Sequence, residues 1–195
     1  LMKSTLFYSK ILLFGEYGII KDSKGLAIPY NSYNGTLKKV PLHQQNEVQE
    51  QSNRSLAKYF VYLSEISQVQ EPLVQFDMLR LSEDIAQGMY FDSSIPQGYG
   101  VGSSGALVAA IYDTYAINKI EATESLTRDK LLKLKEIFSL MESFFHGKSS
   151  GLDPLNSYLS IPILINSTNL IETTGIPTPY EEGKGAVFLL DSGMI

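Results

Sequence analysis

"PQGYGVGSSGALVAAIYDTYA", Pro96 to Ala116, sets three glycines at alternate positions ahead of two serines and an apolar run at helical spacing. Glycine at Gly98, Gly100 and Gly102 admits positive φ and lets a ligand come close to the backbone. Successive N–H groups of such a loop can point into one concavity. The helix that follows adds its free N-terminal donors and the positive end of its dipole. Together these suit a polyphosphate. Ser103 and Ser104 stand at the helix entrance, where a hydroxyl can cap the helix, touch phosphate or ligate Mg²⁺. A tight turn with a Ser N-cap would read the same way. The loop is not a Walker A motif, since no Gly-Lys-Ser/Thr follows. Its G-x-G-x-G-S-S pattern is a different signature from the dinucleotide fingerprint.

Outward from the loop, the chain reads as strands first, then helices, then strands. Residues 4–20 suggest two short strands bent at Gly15 and Gly18. Residues 21–26 read as a turn, and 26–40 as further strand with a hairpin signal at Asn34-Gly35. Residues 43–53 are polar and read as exposed. Leu56, Phe60, Val61, Leu63 and Ile66 fall at the spacing of an amphipathic helix over 54–67. Residues 74–85 read as strand. Leu107 to Ile117 continues as the helix after the loop. A second long helix runs from a cap at Thr127 or Asp129 to Gly147. The stretches 157–165, 169–175 and 185–193 read as late strands. This order implies an α+β architecture of two layers, a sheet packed against helices.

Two further stretches carry titratable groups. In "MESFFHGKSSGLDPLNSY", Met141 to Tyr158, Glu142 lies on the long helix, His146 and Gly147 end it, and Asp153 sits in a Gly/Ser loop before a proline. A carboxylate there serves as a turn former, a general base or a metal-facing group. His146 reads as a structural helix-end residue. In "SKILLFGEYG", Ser9 to Gly18, Lys10 opens a strand and Glu16 follows six residues later. Lys10 is either solvated at a strand edge or set beside a phosphate or a carboxylate.

These three stretches, in this order, resemble the GHMP kinase superfamily, and within it the mevalonate kinases most. "PQGYGVGSSGA" is similar to the family's P-x-G-x-G-L-G-S-S-A, "SKILLFGEYG" to P-G-K-x-x-L-F-G-E-H, and "HGKSSGLD" to H-G-x-x-S-G-x-D. The resemblance runs from Lys10 to about Asp191. Departures are Tyr8-Ser9 for Pro-Gly, Tyr17 for His, and Val101 and Gly105 for the loop's Leu and Ala.

The resemblance implies an ATP- and Mg²⁺-dependent kinase acting on a small-molecule alcohol, mevalonate first, with a place in isoprenoid biosynthesis. Related acceptors such as phosphomevalonate or a sugar, or a silent ligand-binding member, are the alternatives. Pro96, Gly98, Gly100, Gly102, Ser103 and Ser104 would cradle the ATP phosphates. Ser104 and Glu142 would hold Mg²⁺. Asp153 would accept the substrate proton beside Lys10, with Glu16 and Tyr17 on the acceptor side. The family also implies a domain over 2–160, with 161–195 opening an incomplete C-terminal domain. The isolated chain is then expected to show little turnover. A homodimer is a further expectation.

Composition sets the outer bounds. The 195 residues carry a formal net charge of −5, which argues against a broad nucleic-acid face. The resembling fold also occurs in a ribosomal-protein domain, and the acidic balance argues against RNA binding here. There is no cysteine, hence no disulfide scaffold and no Cys-based metal site. No uncharged apolar run reaches the roughly 18–20 residues of a membrane span, and no signal-peptide pattern opens the chain. A cytoplasmic protein is the expectation.

Overall fold

The computed structural model describes residues 5–15, 24–122, 126–167 and 170–174. Its main sheet has five antiparallel strands. β1 (Phe7–Phe14) pairs with one edge of the long β2 (Gly25–Lys39). The other edge of β2 pairs with β4 (Met89–Ser93) near its end and with β6 (Ile163–Ser167) near its start, and β7 (Leu170–Thr173) follows β6. β6 and β7 thus extend the same sheet as β1 and β2. A separate two-residue ladder joins β3 (Gln75–Phe76) to β5 (Ala116–Ile117).

Asn34-Gly35 makes no hairpin. Three residues, Asn31–Tyr33, loop out of the pairing, so that Tyr8 faces Asn34 while Ser9 faces Tyr30. The irregularity is a bulge, and the chain keeps its direction. Gly35 serves close packing. A Cβ there would meet the Phe91 ring, with Cε1 at 2.7 Å.

The helices are α1 (Glu47–Ser67), α2 (Met78–Ala86), α3 (Ser103–Tyr115), α4 (Arg128–His146) and α5 (Leu152–Leu159). α1 begins well before the apolar spacing does. Asn46 accepts from the Gln49 N–H, and Gln49 returns a bond to the Asn46 N–H, a reciprocal cap that starts a polar first turn. Leu56, Tyr59 and Leu63 form the buried face, and Val61 points outward. Residues 78–85, read as the end of a strand, lie in α2. Asp77 caps the Arg80 N–H, and Met78, Leu81 and Ile85 then fall on one helical face.

α3 is the central helix. Gly105, Ala106, Ala109 and Ala110 are small and buried, which lets α4, α5, β1 and β2 approach it closely. Thr127 caps α4 as expected, and Leu134, Phe138 and Met141 turn its apolar face inward. Tyr112, Phe138 and Tyr158 meet edge-on at 5.0–5.5 Å where α3, α4 and α5 converge. Residues 157–159 end α5, and the expected strand starts only at Ile163. The expected strand over 185–193 lies outside the described residues. So does the second of the two strands read in 4–20.

Beneath α2, Asp84 is bonded by Lys39 and by the Tyr115 hydroxyl, whose ring lies under the Arg80 guanidinium. Burial alone raises the Asp84 carboxyl. The hydrogen bonds from Lys39 and Tyr115, with the charges of Lys39 and Arg80, outweigh it and bring the pKa below the usual carboxylate value. A carboxyl lowered in the folded chain adds stability above its unfolded value near ~3.9. It loses that contribution as pH falls through the lower folded value. Asp84→Asn is therefore expected to lower stability at neutral pH and to flatten the acid fall below about pH 4. Urea midpoints across that range measure both slopes. Parallel curves for the two chains would remove Asp84 from the acid response.

Candidate functional site

The glycine loop lies between β4 and α3. Gly98, Gly100 and Gly102 have φ of 83°, 67° and 84°, the left-handed region that only glycine adopts freely. Around Gly98 and Gly100 a Cβ would meet nothing within 4 Å, so their backbone faces open space. Buried Val101 anchors the loop, and its carbonyl accepts the Lys10 N–H at 3.0 Å. Gly102 is the N-cap of α3 and makes no side-chain cap bond. The first N–H groups of α3 are thereby left to a ligand or to water.

β1 delivers Lys10 to this loop. A Cβ at Gly102 would stand 3.0 Å from Lys10 Cγ, so the lysine stem crosses over the glycine. Its ammonium reaches Asp153 Oδ1 at 3.0 Å, with the two side chains 12% and 32% exposed. Asp153 is not at a loop tip. It lies in the first turn of α5, whose N-cap is Gly151. The dipole of α5 favours a carboxylate there. Ser157 donates to the Tyr8 carbonyl and Asn156 to the Ile161 carbonyl, which ties α5 to β1 and to the chain beyond it. At Gly105 a Cβ would come within 2.8–2.9 Å of Asp153 and Pro154 atoms. The glycine that departs from the family's Ala is thus where α3 and the start of α5 touch.

α4 supplies the next group. Ser104 Oγ donates to Glu142 Oε1 at 3.0 Å and lies 3.0 Å from His146 Nε2. The single Ser104 proton is given to Glu142, so the imidazole donates Nε2–H to Ser104 Oγ. His146 is therefore more than a helix end. It stands one turn beyond Glu142 on the same face of α4, and that i, i+4 spacing is the sequence signal that finds it. Glu142 is 4% exposed, and burial raises its carboxyl pKa. The nearby Asp153 charge adds to the rise, while hydrogen bonds from Ser149 and Ser104 work against it.

The glycine loop, Ser104, His146 and Asp153 line one cleft of about 970 Å³, together with Gln49 and Ser52 of α1 and Tyr90 of β4. Lys10 and Glu142 do not line it and are held against its lining residues Asp153 and Ser104. The geometry brings Lys10, Gly98, Gly100, Gly102, Ser103, Ser104, Glu142 and Asp153 into one region, with Pro96 at its rim. Glu16 and Tyr17 lie outside the described residues.

Residues 71–160 match the family model of the GHMP kinases N terminal domain. Over that span the chain resembles a GHMP kinase N-terminal domain. The matched span holds the glycine loop, Glu142 and Asp153, and Lys10 reaches that domain from β1. Similar solved structures include mevalonate kinase from methicillin-resistant Staphylococcus aureus, at 20% identity, 87% of this chain, 54% of that chain and a TM-score of 0.46. Another is the Methanococcus jannaschii mevalonate kinase, at 17%, 90%, 56% and 0.48. The L. major mevalonate kinase in complex with R-mevalonate gives 16%, 90%, 52% and 0.46. The chain spans about half the length of these structures. No curated protein matches the chain. Among the described residues no helix is long and apolar enough to cross a membrane.

Proposed function

We propose that the protein is a kinase that transfers the γ-phosphoryl group of ATP to a small alcohol, with mevalonate as the first acceptor. The observation that carries this reading is the Lys10–Asp153 pair held against the glycine loop, with the lysine stem crossing Gly102. Phosphoryl transfer asks a protein chiefly for positioning and charge neutralisation. Open glycine N–H groups and the free N-terminus of α3 supply donors for phosphate oxygens. Lys10 supplies a positive charge at the carboxylate. Asp153 takes the acceptor hydroxyl proton as the acceptor oxygen bonds to the γ-phosphorus and the β–γ bridging P–O bond breaks. ADP leaves with that bridging oxygen. The mevalonate choice rests on the resemblance of the Lys10 and Asp153 stretches to that branch.

The donor set at Ser104 and Glu142 fits Mg²⁺. Both donors are oxygens, and they lie 3.0 Å apart at the mouth of α3. Mg²⁺ takes one or two protein oxygens and completes its shell with phosphate and water. Among the described residues no group of three His, Cys, Asp or Glu side chains makes an all-protein cage. When bound, Mg²⁺ would supply charge to offset the triphosphate.

Gly100→Val tests the loop. A Cβ at Gly100 meets none of the chain's own atoms within 4 Å, so the substitution obstructs a ligand and not the packing. ATP affinity by calorimetry is expected to fall at least tenfold, on the order of 1.4 kcal/mol. The unfolding temperature controls for the left-handed backbone. Unchanged ATP binding in Gly100→Val would take the phosphate site away from this loop. With a panel of alcohols offered to a catalytically competent form of the protein, mevalonate is expected to be phosphorylated first. A strong preference for a sugar or homoserine would replace the acceptor and keep the kinase. No transfer to any alcohol, with ATP still bound, would favour a silent ligand-binding member.

A further inference from the structure

Ser149 sits at a position that the pattern H-G-x-x-S-G-x-D leaves open, so the resemblance says nothing about it. Its hydroxyl donates to Glu142 Oε2, and the same oxygen accepts the Gly151 N–H at 3.0 Å. Its carbonyl accepts the Ser139 hydroxyl at 2.6 Å. One residue thus ties the Glu142 carboxylate on α4 to the N-cap of α5, two residues ahead of Asp153. Glu142 has two oxygens. Ser149 takes Oε2, and Oε1 is turned to Ser104.

We propose that Ser149 is a positioning residue that orients the Glu142 carboxylate, so that Oε1 and Ser104 Oγ together present a divalent cation site to the phosphates of a bound nucleotide. The inference rests on the reading of Ser104 and Glu142 given above. A carboxylate free to rotate about its last bond would spread its charge over several orientations. A hydrogen bond on the far oxygen removes that freedom before the cation arrives. Hydrogen bonds of this kind to a ligating side chain commonly set metal affinity by roughly 10–100-fold.

The test compares Ser149→Thr with Ser149→Val in the 195-residue chain. The two side chains have the same shape, and only threonine keeps the hydroxyl. Ser149 is half-buried, which leaves room for the extra methyl. Mn²⁺ replaces Mg²⁺ as a paramagnetic probe, and the loss of its free signal is titrated with ADP present. Ser149→Val is expected to weaken Mn²⁺ binding about tenfold. Ser149→Thr should stay within about twofold of the parent, and ADP affinity without metal should be equal in all three. Equal Mn²⁺ affinity in the threonine and valine chains overturns the proposal. A purely structural Ser149 would give that result together with a lower unfolding temperature in Ser149→Val. Should the valine chain fail to fold, Ser149→Ala against the parent carries the same comparison.

Glu142→Gln separates the two levels of the argument. If it abolishes nucleotide-dependent Mn²⁺ binding while Ser149→Val does not weaken it, Ser149 alone loses its role. If Glu142→Gln binds as tightly as the parent, or the parent binds no Mn²⁺ with ADP, the cation site falls and Ser149 with it.

Discussion

Asp153→Asn is expected to lower kcat by roughly 10²-fold or more in a catalytically competent form of the protein, the scale of losing a general base. Asparagine keeps the size of the side chain and its place in the first turn of α5, and removes the proton acceptor. ATP affinity should change far less, because the glycine loop, Ser104 and Glu142 are untouched. Lys10→Met should lower kcat as well, since its ammonium is the charge set 3.0 Å from that carboxylate. The double variant should lose much less than the product of the two single losses, because groups that act as one unit fail together. Turnover near the parent level in Asp153→Asn would leave Asp153 as a first-turn carboxylate of α5 and nothing more. Such a role contributes about 0.3–1 kcal/mol through the helix dipole and touches stability, not rate.

The legible parts of this chain are those where one local rule acts without competition. α4 has a Thr cap, an apolar stripe and a glycine end, and it forms from Thr127 to Gly147 as its spacing predicts. The glycine loop and a helix behind it are likewise plain in the sequence, but α3 starts earlier than Leu107, at the serines, and Ala116 and Ile117, read as its end, pair as β5. Elsewhere a distant contact decides. Asn34-Gly35 looks like a turn only until Phe91 of β4 lies over Gly35 and strands pair along both edges of β2. Residues 74–85 alternate well enough for a strand, yet one Asp cap at Asp77 starts a helix whose Leu81 is then buried. The polar start of α1 shows no apolar period, so its reciprocal Asn46–Gln49 cap was the only signal available.

The candidate site divides in the same way. Lys10, Ser104, Glu142 and Asp153 could be named from the motifs, whereas their distances could not. The role of Gly105 depends on how closely α5 crosses α3, and that of Ser149 on which carboxylate oxygen faces it. His146 shared a helix face with Glu142 in the sequence, but a helix-end reading concealed the link.

Gly151→Ala should be among the most destabilising single substitutions in the domain, by about 2–4 kcal/mol. Two costs add. The residue has φ of 74°, where an L side chain is strained by roughly 1–2 kcal/mol. A Cβ would also run into the α4 backbone at the Lys135 carbonyl and at Ser139 N, the latter 2.6 Å away. Those atoms belong to the helix ladder and cannot turn aside as a side-chain tip would. Overpacking of this kind costs about 1–3 kcal/mol. The loss of unfolded-state freedom returns only about 0.4–1 kcal/mol. Relief would come from moving α5 away from α4, which carries Asp153 off Lys10 and turnover down with stability. Gly98→Ala is the control. Its φ is 83°, yet a Cβ there meets nothing within 4 Å, so only the backbone cost remains. Urea midpoints should therefore separate the two variants by about 1–3 kcal/mol. Equal losses at Gly98 and Gly151 would mean that α5 is not wedged against α4, and that the spacing of Asp153 from Glu142 is set by something other than this glycine.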